Sequence, residues 1–233
     1  MFRKGIVLLV VGGIIILLTA DLCQGREEST MEETVDLVGP QQEGEMPVEQ
    51  TIARRRSRRS FSTKALTLEE VSQIAWAAQG ITGPEERKRA APSAGATYPL
   101  EFIIAVGKGG VDGLEAGIYR YLPGDHALER THEEDIRPQI VRAALGQRFL
   151  GRAPVVCLIA ADYSRTARRY GDRARRYVHM EVGHAGQNIY LQAESLGLGT
   201  VAVGAFDDTG IEEVFNLPDD LDALYLMPVG HYE

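Results

Sequence analysis

Apolar and polar residues follow one another along this chain in two rhythms, and the points where one rhythm gives way to the other divide it into elements. Leu68, Val71, Ile74, Ala75 and Ala78 recur three or four residues apart, the spacing that lays one apolar stripe along a helix. Thr67 precedes the stripe and Glu70 stands three residues on. A Thr hydroxyl there accepts from the Glu70 N–H while the Glu70 carboxylate reaches back, so the helix opens on a capping box and closes at Gly80. The period returns at Ile136, Ile140, Val141, Ala144 and Leu145, ending at Gly146. It returns again at Val178, Val182, Ala185, Ile189 and Ala193, inside a segment (164–196) that reads as one long helix or two joined at Gly171. Short helices are expected from about Glu49 into an arginine-rich run, and over 211–215 before Pro218.

The second rhythm is that of strands. Residues 101–106 and 154–161 are continuous apolar runs, the latter the longer and expected to be central. Residues 117–122 and 127–130 flank Pro123-Gly124-Asp125 and predict a hairpin, and 200–203 and 223–229 are further strands. Helices and strands alternate without a strict βαβ repeat, which predicts an α+β fold built on one core. Ahead of residue 49 the pattern fails. Residues 26–48 are acidic and rich in Glu, Gln, Gly and Pro, and read as a disordered linker. Before them, Arg3 and Lys4 precede an apolar run (6–18) too short for a comfortable membrane span. Residues 1–25 are therefore expected to be a signal peptide or an N-terminal membrane anchor, placing the protein outside the cytoplasm or on a membrane. The folded domain is expected over 49–233.

Composition narrows the chemistry. The 233 residues carry a net charge of -8, so the molecule as a whole does not seek polyanions. Its positive charge is local. Ala53 to Phe61 hold five arginines and two serines, and a second basic stretch runs over 165–176. Guanidinium forks with hydroxyls suit a doubly charged phosphate. By itself the run fits a cofactor phosphate, an anionic lipid or nucleic-acid backbone, or a solvated turn. Cys23 and Cys157 make no disulfide framework, and the five histidines have no metal-ligand spacing, so no metal is expected. No Walker loop, dinucleotide Gly fingerprint or Gly-x-Ser-x-Gly elbow is present. His184, Gln187 and Asn188 are read as interface or packing residues, Tyr170 and Tyr177 as a solvated face, and Trp76 as core.

Four segments stand in a telling order: the run from Arg55 to Phe61, Ala91-Pro92-Ser93-Ala94-Gly95-Ala96, Val203-Gly204-Ala205-Phe206-Asp207, and Met227-Pro228-Val229-Gly230. Together they resemble the nitroreductase family of FMN-dependent oxidoreductases over residues 49–231. The Pro-Ser-Ala-Gly form, with Glu181, His184, Gln187 and Asn188, is most similar to the SagB-type dehydrogenase-like branch. The resemblance implies a mixed central sheet flanked by helices and an intertwined homodimer with one FMN per site. It implies that Arg55, Arg56, Ser57 and Arg59 hold the FMN phosphate and the polar edge of the ring, and that Arg54 and Arg58 face solvent. Pro92, Ser93, Ala94 and Gly95 would reach the flavin of the other subunit. Val203, Gly204 and Ala205 would place backbone N–H groups at the ring, although many relatives have a glutamate where this chain has Gly204. His231 would stand in for a C-terminal basic residue. The implied activity passes hydride from NAD(P)H or a substrate C–H to a small-molecule or peptide substrate by a ping-pong cycle. No acid or base stands out as catalytic. The alternatives are a membrane-tethered anion-binding module and an FMN-binding protein without turnover.

Overall fold

In a computed structural model, residues 33–83 and 88–232 are described. The expected leader lies outside them. Among the described residues, no helix is long and apolar enough to cross a membrane.

The two continuous apolar runs form the middle of the molecule. β4 (Leu100–Val106) and β7 (Val155–Ala161) pair antiparallel over their whole length, from Leu100 with Ala161 to Val106 with Val155. Every residue of β7 is buried, as a strand covered on both faces must be. β5 (Gly117–Leu122) and β6 (Ala127–His132) make the expected hairpin beside β4, and β9 (Asp222–His231) and β8 (Leu198–Thr200) extend the other side. All ladders of this sheet are antiparallel, and its parallel contacts are isolated bridges such as Ser57 with Thr200. The mixed sheet expected from resemblance is thus antiparallel in its strands.

The stretch read as a linker differs most from expectation. β1 (Thr34–Asp36) is the seventh strand and pairs with β6, Val35 facing Leu128. Val35 and Leu37 pack on the core, and Gln41 donates its N–H to Gln73. Val35 and Leu37 thus give residues 34–37 a packed, paired strand despite the acidic composition around them.

Helices cover both faces of the sheet. α2 (Leu68–Gln79) and α5 (Ala174–Ser195) pack over one side, with Val71, Ile74, Val178, Val182 and Ile189 in one buried cluster. α3 (Arg137–Ala143) and α6 (Asp208–Val214) cover the other, where Ile140 and Ile211 are fully buried. Both arms of the predicted capping box form: Thr67 accepts from the Glu70 N–H and Glu70 from the Thr67 N–H. α4 (Tyr163–Tyr170) and α5 are separate helices, broken at Gly171 with φ of 52°. α1 (Val48–Arg54) leads into the arginine run. A small hairpin of β2 (Ile81–Gly83) and β3 (Lys88–Arg89) completes the fold.

Candidate active site

The arginine run leaves α1 as extended chain, so alternate side chains point to opposite sides. On one side stand Arg55, Ser57 and Arg59. Tyr190 on α5 organises them. Its hydroxyl accepts from the Ala202 N–H at 2.8 Å and lies 3.0 Å from the Ser57 hydroxyl, while the Arg55 guanidinium sits 5.0 Å from its ring centre. Arg59 lies over Phe149 at 5.8 Å. Neither Arg55 nor Arg59 has a carboxylate partner among the described residues. Unneutralised guanidinium groups beside a hydroxyl are a ready anion site.

The other side of the run departs from expectation. Arg58 turns inward rather than to solvent: its guanidinium lies 3.6 Å from the ring centre of Tyr232 and 3.6 Å from Glu194, a buried carboxylate at the end of α5. β9 and α5 cover that side, so the position is structural. Arg56 folds back onto its own backbone, donating to the carbonyls of Ala53 and Arg55, and Arg54 is exposed.

Beyond Ala202 the chain continues past this group. Val203 is buried and exchanges hydrogen bonds with Leu226, whereas Gly204 and Ala205 are exposed and their N–H groups make no bond within the described chain. The Ala205 carbonyl accepts from the Gln147 amide at 2.7 Å. Two free backbone donors thus follow Ala202, which Tyr190 ties to Ser57 and Arg55, by two and three residues along the chain. His231 is not in this group: its ring faces Glu70 at 3.6 Å and its Nε2 is buried without a hydrogen bond.

The Pro92–Gly95 segment forms a second group. Its turn carries three residues of positive φ, Gly95 (60°), Ala96 (53°) and Tyr98 (45°). For Ala and Tyr this conformation costs about 1–3 kcal/mol each and persists only where surroundings impose it. The surroundings are α4 and α5. Thr97 shares a hydrogen bond with Thr166, Arg165 donates to the Tyr98 carbonyl, and Arg169 to the Gly95 carbonyl. Ser93 accepts from the Tyr98 N–H, and Ser93 and Ala94 lie beside Glu181. Glu181 is 3% exposed and its Oε1 has no partner. Burial pushes its carboxyl up to about 7, against the opposing pull of Ser93, Arg89 and the Ala94 N–H. Pro92 and Gly95 themselves are exposed.

The two groups do not meet in one chain. Glu181 and Tyr190 are nine residues apart on α5, about 13.5 Å along its axis, and nine steps of about 100° turn them to opposite faces. The residues between are structural or exposed: Asn188 donates to the carbonyls of Ala77 and Ala90, while His184 and Gln187 face outward. Tyr170 and Tyr177 stack edge to face at 5.0 Å. A cleft of about 610 Å³ opens between residues 41–48, α2 and α5. Its walls carry Gln41, Glu43, Glu45, Gln73 and Gln192, with half-exposed Trp76, and none of the expected cofactor residues. Amides and carboxylates do not suit a phosphate.

The sequence reading missed Tyr190 and gave Glu181 no role beyond the resemblance. Glu181 carried a signal, since it falls in the buried phase of α5 beside Val178, Val182 and Ala185. No cluster of metal-ligating side chains occurs among the described residues, and Cys157 is buried with its thiol pushed up by burial.

The antiparallel sheet flanked by helices is a nitroreductase-like α+β fold. The chain belongs to the nitroreductase family, whose family model matches residues 52–231. It is 48% identical over 200 residues to a protein of Methanocaldococcus jannaschii named as a nitroreductase, covering 86% of this chain and 98% of the other. The crystal structure of a nitroreductase from Ralstonia eutropha superposes with a TM-score of 0.76 at 28% identity, covering 88% of this chain and 91% of that one. The microcin B17-processing protein McbC of Escherichia coli is 27% identical over 65% of this chain and 57% of its own length.

Proposed function

We propose that this oxidoreductase is FMN-dependent, and that it passes hydride from NAD(P)H or a substrate C–H to a second substrate in a ping-pong cycle. The observation that carries the reading is that Tyr190 ties Ser57 and the unpaired Arg55 to Ala202, just ahead of the free N–H groups of Gly204 and Ala205. FMN bound there supplies reversible hydride transfer. The chain's own residues hold and orient it. Arg55, Arg59 and Ser57 take the phosphate, with Arg56 released from its own backbone to join them. The Gly204 and Ala205 N–H groups would donate to the flavin ring and favour its reduced form. Tyr190 fixes Ser57 relative to this backbone and keeps the two parts of the site in register.

A site that also uses Pro92–Gly95 needs two copies of the chain, because these residues and Tyr190 lie on opposite faces of α5. Support for a homodimer comes from Val48 and Ile52, one turn apart on α1 and 56% and 58% exposed just before the arginine run. The similarity to a microcin-processing protein supports a peptide as one class of second substrate, beside small molecules.

The test is anaerobic. Purified protein loaded with FMN is mixed with NADH, NADPH or azoline-containing peptides while the yellow absorbance of oxidised flavin is followed. Bleaching by one of them is expected. A colourless protein that takes up no FMN sinks the reading and leaves an anion-binding module. Bound FMN that no donor bleaches points to a protein without turnover.

A further inference from the structure

We propose that Gln147 is a positioning residue for the backbone donors of residues 204–206, holding them in the orientation in which they meet the ligand of the anion site. Its bearing on the reaction rests on the flavin reading above; its hold on the backbone does not.

Residues 204–206 form a short span between two fixed points. At one end Val203 exchanges hydrogen bonds with Leu226, at 2.8 and 3.0 Å. At the other the Asp207 N–H is given to the Ala143 carbonyl at 2.9 Å, and the Asp207 side chain caps α6. Between them the N–H groups of Gly204, Ala205 and Phe206 make no hydrogen bond within the described chain. Phe206 packs its ring on the core, but Gly204 and Ala205 are exposed, and glycine leaves the backbone its widest freedom. Among the described residues one hydrogen bond reaches the span from outside: the Gln147 amide donates to the Ala205 carbonyl at 2.7 Å. Its other N–H goes to the Ala144 carbonyl at 3.0 Å, so one side-chain amide ties the end of α3 to the middle of the span. Both partners are carbonyls, so the nitrogen is the atom that faces them.

The loop after α3 aims this side chain. α3 ends with the Gly146 N–H on the Val141 carbonyl, a closure that places a left-handed residue just before Gly146. Leu145 takes that place with φ of 57°, where glycine is usual, and its side chain is 69% exposed. A left-handed backbone and an apolar side chain in water both count against the loop. What they achieve is a sharp reversal that brings Gln147 back onto Ala144 and against Ala205. Two residues on, Phe149 lies under the Arg59 guanidinium at 5.8 Å, so the same loop borders the arginine side of the site as well as the donor side. The grip also sets a direction. The peptide unit between Ala205 and Phe206 is trans, so drawing its carbonyl to Gln147 sends the Phe206 N–H the opposite way. Donation to that carbonyl polarises the peptide and strengthens its N–H as a donor. Donors fixed in advance favour the reduced flavin over the oxidised one, so loosening them weakens binding of reduced FMN the more.

The experiment compares wild type with Gln147→Met, which keeps the length of the side chain and loses both donors, and with Gln147→Ala should Met crowd the loop. Backbone order is read by amide nitrogen NMR relaxation on the full-length protein without added FMN. Order parameters of Ala205 and Phe206 are expected at about 0.85 in wild type and below about 0.6 in the variants, with those of β4 and β7 unchanged. Unchanged order at these two residues, or a fall that extends to β4 and β7, overturns the hold. FMN affinity is then measured for the oxidised and the reduced flavin. The variants should lose about tenfold more affinity for reduced than for oxidised FMN, a fall of about 30 mV in the potential of the bound flavin. Equal losses, or a larger loss for the oxidised form, mark Gln147 as merely structural and overturn its role toward the flavin. Wild type that takes up no FMN sinks the flavin reading, while the order parameters decide the hold on residues 204–206 independently.

Discussion

Removing one oxygen atom, in Tyr190→Phe, tests whether the parts of the anion site act together. The hydroxyl makes two hydrogen bonds, to the Ala202 N–H at 2.8 Å and to Ser57 at 3.0 Å. Each neutral bond contributes about 0.5–1.5 kcal/mol net, and a donor left without a partner costs more when water cannot reach it. Ser57 is exposed and recovers a water partner; Ala202 is half-buried and does so poorly. The expected loss is therefore about 1–2 kcal/mol, dominated by Ala202. In a chain of this size that lowers the melting temperature by about 2–8 °C. FMN affinity should fall about tenfold, a loss of about 1.4 kcal/mol, because Ser57 and the Gly204–Ala205 donors are no longer held in register. Urea unfolding and flavin-fluorescence titration read the two numbers. A variant within about 1 °C of wild type and within about twofold in FMN affinity refutes Tyr190 as the organiser.

Arg55→Ala with Ser57→Ala removes two charge-assisted contacts, each worth about 1.5–3 kcal/mol, and should abolish FMN retention through gel filtration; unchanged affinity refutes the phosphate assignment. Gly95→Ala places a Cβ 2.6 Å from the Tyr170 hydroxyl at a φ of 60°, so the tyrosine must shift; a cost of about 1–2 kcal/mol is expected, seen as a lower denaturation midpoint at constant m. Because burial raises Glu181, its contribution to folding is fully present below about pH 4.5 and lost as pH rises through about 7. Wild type should therefore lose stability relative to Glu181→Gln across that window in paired chemical denaturations, and parallel curves contradict the assignment.

What could be read in advance was what short-range chemistry decides. The Thr67–Glu70 box needs only residues three apart, and both its bonds form as expected. β4 and β7 announced themselves because burial on both faces demands unbroken apolar runs. β1 was missed because three residues of exposed, half-buried, exposed pattern carry no period; β6 supplies the pairing from more than ninety positions away. The alternation of Arg55, Ser57 and Arg59 was visible in the run, yet Arg58 on the opposite side was assigned to water. Arg58 instead meets Tyr232 and Glu194, which only the folded chain brings there. Tyr190 likewise depends on the chain just after β8, at Ala202, that no local pattern ties to α5.

The bridge between Ser57 and Thr200 has a consequence for solubility. β8 is the last strand of the sheet, and its outer side would offer unpaired backbone groups to any other chain. The arginine run lies along it, Ser57 in register with Thr200 and the Arg58 N–H given to the Thr200 carbonyl. The run and its outward-facing arginines thereby guard an edge at which two molecules could otherwise zip together. The segment thus blocks edge pairing, and arginines that never touch a phosphate still have a reason to be there.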